Sequence, residues 1–299
     1  MQEIKLTYFT PTYNRAKLLP ILYKSLCAQT NKNFIWLIVD DGSKDNTKEV
    51  VDEFIKENVI KIKYYYKENG GKNTAMDYSN QVCTTEYITC IDSDDFLENN
   101  ATEVLYSKLH LCEDKNIVGL VGPRKMLNKG FEYTWNIFDE KMYFYDLYKF
   151  MDTIPDTFLI FKTEIIKQYV FPKFKGERFI TESVFYNQFF YEYQFLVFSE
   201  QLYISEYMQD GYTNQGLRLF VKNPKGYAYA LKQNAEIAIN KKQGFKKVLK
   251  SSIYYYSWLS FAKLKDNEFS DFKIKFPYNL IGRLLSPIGK YIIKKKLKG

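Results

Sequence analysis

Through the first 125 residues, short continuous apolar runs alternate with stretches whose apolar positions recur every three or four residues. IKLTYFT (4–10), FIWLIVDD (34–41), KIKYYYK (61–67), EYITCID (86–92) and NIVGLVG (116–122) are β-branched or aromatic runs of strand length. LLPILYKSLCAQ (18–29), NTKEVVDEFIKEN (46–58), KNTAMDYSNQVC (72–83) and a stretch from about Asn100 to Glu113 carry helical spacing between them. Such alternation predicts right-handed βαβ units and an α/β fold with a mostly parallel central sheet flanked by helices.

Beyond Gly122 the pattern loosens. ITESVFYNQFFYEY (180–193) reads as helix and FLVFSEQLYISEYM (195–208) as strand-like, and from Asn223 the chain is mainly helical. The expected organisation is one domain over 1–222, with halves meeting near residue 125, followed by a helical C-terminal region over 223–299. No internal repeat or long low-complexity linker interrupts it.

At 299 residues, 46% hydrophobic and 26% charged, the chain is an ordinary folded protein with length for a sizeable core. No apolar run approaches the ~18 residues of a membrane span. The start, MQEIKLTYFT, lacks the basic and apolar regions of a signal peptide. Cys27, Cys83, Cys90 and Cys112 form no C-x-x-C pair and read as reduced, largely buried thiols, which suits the cytoplasm. The single histidine, His110, lies in a helical pattern, so neither a Ser-His-Asp triad nor a histidine-rich zinc site is expected.

The net charge of +8 is concentrated at one end: from Asp271 to Gly299 there are eight basic residues against one acidic. There FPYNLIGRLLSPIGKYIIKKKLKG places apolar residues at helical spacing with lysines over much of the remainder, interrupted near Pro287. This is the pattern of an interfacial helix on an anionic membrane; the alternative is a helix docked on the domain with a solvated basic end. No nucleic-acid module accompanies the charge, so nucleic acid is not an expected partner.

In parallel sheets, ligands bind beyond the carboxyl ends of the strands. Here the successive ends read TPTYNR (10–15), DDGS (40–43), ENGGKN (68–73) and DSDD (92–95), so polar clusters gather on one rim. Asp92 with Asp94 or Asp95 offers hard oxygen ligands suited to Mg²⁺ or Mn²⁺. Gly70 and Gly71, ahead of a helix, offer close backbone approach and free N–H groups, and Lys72 adds a charge. Asp40 and Asp41 can accept hydrogen bonds from a base or ribose, and Tyr13 can stack on a base. Each cluster also has a plain use: DDGS and NGG make turns and caps, and DSDD can be a solvated turn. Together they meet the needs of a metal-bound nucleoside diphosphate.

PTYNR, VDDGS, ENGGKNTA and IDSDD, in this order and spacing, resemble the nucleotide-sugar half of inverting family-2 glycosyltransferases of the GT-A, Rossmann-like fold. The resemblance is specific over about residues 4–125. Up to about residue 230, GERFITESVFYNQ, ISEYMQDG and KNPKGY resemble a bacterial branch that builds surface polysaccharides such as capsule and teichoic-acid decorations. It implies a nucleotide-sugar donor, in the first instance a UDP-sugar, a saccharide or lipid-linked glycan acceptor, and Mn²⁺ or Mg²⁺ as cofactor. Thr10, Pro11, Tyr13 and Arg15 would border the nucleotide, and Asp40 and Asp41 the base edge. Gly71, Lys72 and Asn73 would lie near the ribose or diphosphate. Asp92 and Asp94 would form the D-x-D motif around Ser93, with Asp95 as a competing ligand.

The implied reaction is in-line displacement at the anomeric carbon. The family's base is often the aspartate of a Glu-Asp pair opening a helix. Here that stretch reads ITES, Ser183 stands in the aspartate's place, and Glu182 is the available carboxylate; it also suits a plain helix N-terminus. Asn73 departs from the histidine usual in this branch. Two other readings remain: phosphatase chemistry, against which Phe96 and the fourth-strand location argue, and a catalytically silent nucleotide-sugar-binding or assembly protein at the membrane, which the Ser183 departure keeps open. The 18% aromatic content reads as core packing before any acceptor groove.

Overall fold

The computed structural model describes residues 3–127, 135, 140–149, 156–205, 212–269 and 272–298. Most of ISEYMQDG (206–211), with the end of the expected 195–208 run, lies outside them. The chain forms two compact units, Met1–Val170 with Gln188–Gln209, and Phe171–Asn187 with Asp210–Gly299.

In the first unit, β1 (Leu6–Thr12), α1 (Leu19–Cys27), β2 (Phe34–Asp40), α2 (Thr47–Glu57), β3 (Lys61–Tyr66), α3 (Lys72–Val82) and β4 (Tyr87–Cys90) alternate as the periodicity predicts. Then come β5 (Phe96–Leu97), α4 (Ala101–Leu109), β6 (Ile117–Met126), β7 (Lys141–Tyr143), β8 (Thr157–Lys162) and α5 (Thr163–Ile166). β9 (Gln194–Val197) and β10 (Tyr203–Ser205) follow. The sheet order is β3-β2-β1-β4-β8-β6-β10-β5, with β9 beside β6 and β7. β3, β2, β1 and β4 are mutually parallel, so their carboxyl ends share one edge. β8 runs antiparallel between β4 and β6.

β2 is buried at all seven positions, as a central strand covered on both faces must be. On one face Tyr8 and Trp36 meet Leu22, Tyr23 and Phe54 of the helices, with Tyr23 stacked on Phe54 at 4.0 Å between centroids. The edge strand β3 alternates Lys61 and Lys63 with apolar residues, which discourages pairing with another chain. All four cysteines are free, Cys83 and Cys112 buried, Cys27 and Cys90 half-buried.

The β6–β8 contact is tight. A Cβ on Gly119 would fall 1.9 Å from the Ile160 carbonyl oxygen. We expect Gly119→Ala to force the strands apart at a cost of about 3 kcal/mol. Thermal denaturation should show a midpoint lowered by several degrees; an unchanged midpoint would refute this account of the contact.

In the second unit, α6 (Ser183–Tyr186) packs on α8 (Pro224–Asn240), and α8 with α7 (Tyr212–Lys222, broken at Gly216), α9 (Phe245–Ala262) and α10 (Tyr278–Lys298) packs around Tyr255, Trp258, Leu259 and Ala235. Asp266 ties them together: it accepts hydrogen bonds from Tyr255 (2.7 Å) and from Arg283 of α10 (2.7 Å), and Lys232 of α8 lies 3.5 Å from its carboxylate.

Two expectations change. The helix expected over 180–193 shrinks to the four residues of α6 followed by turns, because Phe185, Phe189 and Phe190 are buried without continuing the helical ladder. Pro287 does not interrupt α10, which runs through it.

Candidate functional site

The ends of β1, β2 and β4 and the loop before α3 bring the sequence clusters together. Asp41 leaves β2 by donating its N–H to Thr12 O of β1 at 2.8 Å. Its carboxylate, 4% exposed as a residue, then reaches across to the glycine loop. It accepts the N–H groups of Gly70 (2.9 Å) and Gly71 (2.7 Å), and the Lys67 ammonium at 2.5 Å. Lys67 also donates to Thr74 of α3 at 2.8 Å. The N–H groups expected to be free for a ligand at Gly70 and Gly71 are therefore engaged by Asp41. A Cβ on Gly70 would meet Thr74 Oγ1 at 2.6 Å, and Gly71 has φ of 92°, so this loop requires glycine at both places.

Asp40 serves its own turn. Its carboxylate takes the Ser43 N–H (2.7 Å) and the Tyr64 hydroxyl (2.7 Å) and is 1% exposed as a residue. Thr10 is fully buried and accepts the Trp36 indole N–H at 2.9 Å. Pro11 is half-buried, whereas Tyr13 is exposed and Arg15 half-buried at the start of the following loop. Asn73 is buried in the first turn of α3, its Oδ1 without a hydrogen-bond partner.

Beyond β4 the chain turns sharply, with Asp95 N–H donating to Asp92 O at 3.1 Å and Ser93 buried in the turn. Lys72 of α3 places its ammonium 2.6 Å from Asp92 Oδ1, linking the glycine loop to the acidic turn. The Tyr203 hydroxyl of β10 accepts the Asp92 N–H at 3.0 Å and donates to Asp95 Oδ2 at 2.6 Å. Arg124 of β6 lies over the Tyr203 ring, its Cζ 4.0 Å from the centroid, and donates from Nε to Thr157 O at 2.9 Å. Tyr203, Arg124 and Lys67 were not identified from the sequence. An arginine within a strand, which must find acids or carbonyls once buried, is the one local signal that marks any of them.

These neighbours split the three carboxyls. Burial opposes ionisation of Asp92, but the charges of Lys72 and Arg124 prevail and hold it below the usual carboxylate range. Burial and then the Asp92 charge push Asp94 up. The same two causes push Asp95 up to about 7, against the Tyr203 hydrogen bond and Arg124. Asp95 in the folded chain thus keeps a proton that an unfolded aspartate, with a pKa near 3.9, releases. Its contribution to stability is full below pH ~4 and is lost as pH rises toward ~7. We expect Asp95→Asn to flatten this part of the stability-against-pH curve in chelator-treated protein; urea midpoints from pH 4 to 8 with an unaltered slope would contradict it.

Among the described residues no group of three or more His, Cys, Asp or Glu side chains is arranged to hold a metal alone. Asp92 and Asp94 nonetheless fit a hard divalent cation, which commonly takes one or two carboxylates, waters and substrate phosphates. Asp95 has one oxygen committed to Tyr203. Glu182, in the second unit, stands at the N-cap of α6 and accepts the Tyr186 hydroxyl at 3.1 Å. Thr181 and Ser183 hydroxyls pair at 2.9 Å beside it.

Against known proteins, the chain matches the model of Glycosyl transferase family 2 over residues 7–174. The GalNAc(5)-diNAcBac-PP-undecaprenol beta-1,3-glucosyltransferase of Campylobacter jejuni is 36% identical over 110 residues, 35% of this chain and 34% of that protein. The match thus spans about a third of that relative's length. S. aureus TarS 1-349 in complex with UDP-GlcNAc gives a TM-score of 0.63 over 98% of this chain and 91% of that one, at 15% identity. The mannosyltransferase PcManGT from Pyrobaculum calidifontis, in complex with GDP-Man and Mn²⁺, gives 0.55 over 98% and 87%, at 14% identity. At these identities the structural likeness is one of fold.

Proposed function

The chain belongs to glycosyl transferase family 2, with a GT-A-like α/β fold, and from that premise we propose a donor, an acceptor and a mechanism. The donor is a nucleotide-diphosphate sugar, a UDP-sugar first among them. The acceptor is a saccharide or lipid-linked glycan in bacterial cell-surface polysaccharide synthesis. The work divides between residues 1–222, holding donor and acceptor halves, and the helical region 223–299. That region bears the protein on the cytoplasmic face of the membrane through its basic C-terminal helix. No described helix is long and apolar enough to cross a membrane.

One observation supports the donor reading above the rest. The Lys72–Asp92 contact at 2.6 Å joins a cation next to the glycine loop to an acidic turn, where a diphosphate needs both. Arg15, whose charge acts on Asp92 and Asp94, adds a second cation at the same rim. Asp92 and Asp94 would hold Mn²⁺ or Mg²⁺, and a bound ion supplies Lewis-acid stabilisation of the departing diphosphate. Asp95, paired with Tyr203, supports the turn. Tyr13, exposed at the strand end, stacks on the base, while Thr10, Asp40 and Asp41 act behind the ligand by fixing the loops that meet it.

Transfer is a single in-line displacement. Glu182 takes the acceptor hydroxyl proton as that oxygen bonds to the anomeric carbon, while the bond to the diphosphate oxygen breaks and its electron pair leaves with the nucleotide. The configuration at that carbon inverts.

Incubation of the full chain with a panel of nucleotide sugars and Mn²⁺ or Mg²⁺ tests this. Metal-dependent release of nucleoside diphosphate, accelerated by acceptor, is the expected result. Tight donor binding with no turnover even with acceptor present would instead identify a silent nucleotide-sugar-binding protein. No binding of any donor would remove both readings.

A further inference from the structure

We propose that α8 positions the base: Asn223 and Gln233 of that helix, with Glu177 facing its start, are positioning residues that fix the segment carrying Glu182. This rests on the reading of Glu182 as the base, and it gives a role to two motifs, GERF (176–179) and KNPKGY (222–227), that the transfer step itself leaves unused.

Residues 177–181 lie outside any helix or strand, so side-chain contacts set their place. At the start of α8 those contacts are exchanged. An asparagine at a helix N-cap ordinarily accepts an N–H from the second or third residue of its own helix. Asn223, the N-cap of α8, makes no such bond. Its Oδ1 turns to the other segment and accepts the N–H groups of Arg178 at 3.0 Å and Phe179 at 3.1 Å. Its Nδ2 donates to Leu219 O of α7 at 2.9 Å, which holds the side chain in that pose. The missing cap is returned by Glu177, whose Oε1 accepts the Lys225 N–H at 2.8 Å and whose Oε2 accepts the Gly226 N–H at 2.7 Å. These are the second and third amides of α8, and Pro224 before them has none to offer. A self-contained cap would satisfy the helix equally well. The exchange does one thing more: it locks the GERF segment in register with α8.

The fit is close. A Cβ on Gly226 would stand 2.9 Å from the Phe179 carbonyl oxygen, so helix and segment meet backbone to backbone. Trp258 of α9 donates its indole N–H to Pro224 O at 2.8 Å and fixes that end of α8 in turn. Further along α8, Gln233 takes hold of the chain again beyond Glu182. Its Nε2 donates to Val184 O at 3.0 Å, and its Oε1 accepts from Asn187 Nδ2 at 3.1 Å. Glu182 therefore stands between two anchor points, Phe179 and Val184, both held by one helix. A base must meet its proton within hydrogen-bond reach, and a displacement of ~1 Å costs on the order of 100-fold in rate. Bracketing a short irregular segment from a single helix holds the carboxylate to that tolerance.

The test is a double-mutant cycle on the full chain: wild type, Asn223→Ala, Glu182→Gln and the pair, with Asn223→Asp as the conservative variant. Turnover is read as nucleoside diphosphate released, with Mn²⁺, from the panel sugar that wild type turns over fastest. Binding is read as the calorimetric affinity for UDP with Mn²⁺. Asn223→Ala is expected to lower kcat by roughly 10- to 100-fold while UDP affinity stays within about twofold. In the Glu182→Gln background the same substitution should cost no more than about twofold, because the base it places is already gone. Asn223→Asp, whose carboxylate still accepts from Arg178 and Phe179, should recover most of the rate. Hydrogen exchange at those two amides should rise in the alanine variant and not in the aspartate one. Gln233→Ala, at the second anchor, goes through the same cycle and decides the matter should Asn223→Ala fail to fold. If neither anchor variant lowers kcat, or the loss is as large without Glu182 as with it, the brace is overturned and the base reading stands. If Glu182→Gln itself turns over normally, or wild type turns over no panel sugar, the base reading falls and the brace falls with it.

Discussion

Asp94→Asn is expected to abolish metal-dependent donor binding and to lower turnover by roughly 100- to 1,000-fold. Burial and the neighbouring Asp92 already push the Asp94 carboxyl up, so in the free protein its charge is held at a cost. Asparagine keeps the shape, removes that repulsion and removes the anionic ligand. The variant should therefore fold at least as stably as the wild type while failing in function, a combination that unfolding cannot imitate. Calorimetric titration of UDP with and without Mn²⁺, beside a urea curve, separates the two. An asparagine variant whose UDP affinity still rises with Mn²⁺ would remove Asp94 from the metal site.

The second large effect is expected at Glu182. Glu182→Gln should leave donor affinity within about twofold and reduce the transfer rate by 10²–10⁴-fold, the usual contribution of a positioned base. The glutamine carbonyl can still accept the Tyr186 hydroxyl, which Glu182 holds at 3.1 Å, so the start of α6 should keep its shape. The loss should fall on kcat and leave the KM for donor nearly unchanged. Near-normal transfer by this variant would assign the base elsewhere.

What could be read from the amino-acid sequence followed its range. β1 to β4 and the helices between them are legible because buried parallel strands are continuous apolar runs, and because each helix carries its own period. The carboxyl-end rim followed from that order, whereas the Lys72–Asp92 contact across it is visible only in the folded chain. β8 was not foreseen: Thr157–Lys162 is one more short apolar run, and nothing local says that it enters antiparallel between β4 and β6. The stretch 180–193 misled for a physical reason, since aromatic residues at helical spacing serve equally to fill a core from a series of turns. Tyr203 and Asp95 are 108 positions apart, and their hydrogen bond exists only once β10 lies beside β5. The partners that the Asp40 and Asp41 carboxylates take at the Ser43 turn and the glycine loop are tertiary contacts, which a motif cannot display.

Because Asp41 already holds both glycine amides, the loop before α3 has its shape before any ligand arrives. The conformational entropy of ordering it is spent during folding, so a nucleotide bound at this edge, as proposed, would meet a loop already in shape. On the proposed reading, recognition at this edge would fall to the side chains of Lys72 and Arg15, which can be replaced while the loop held by Asp41 keeps its form.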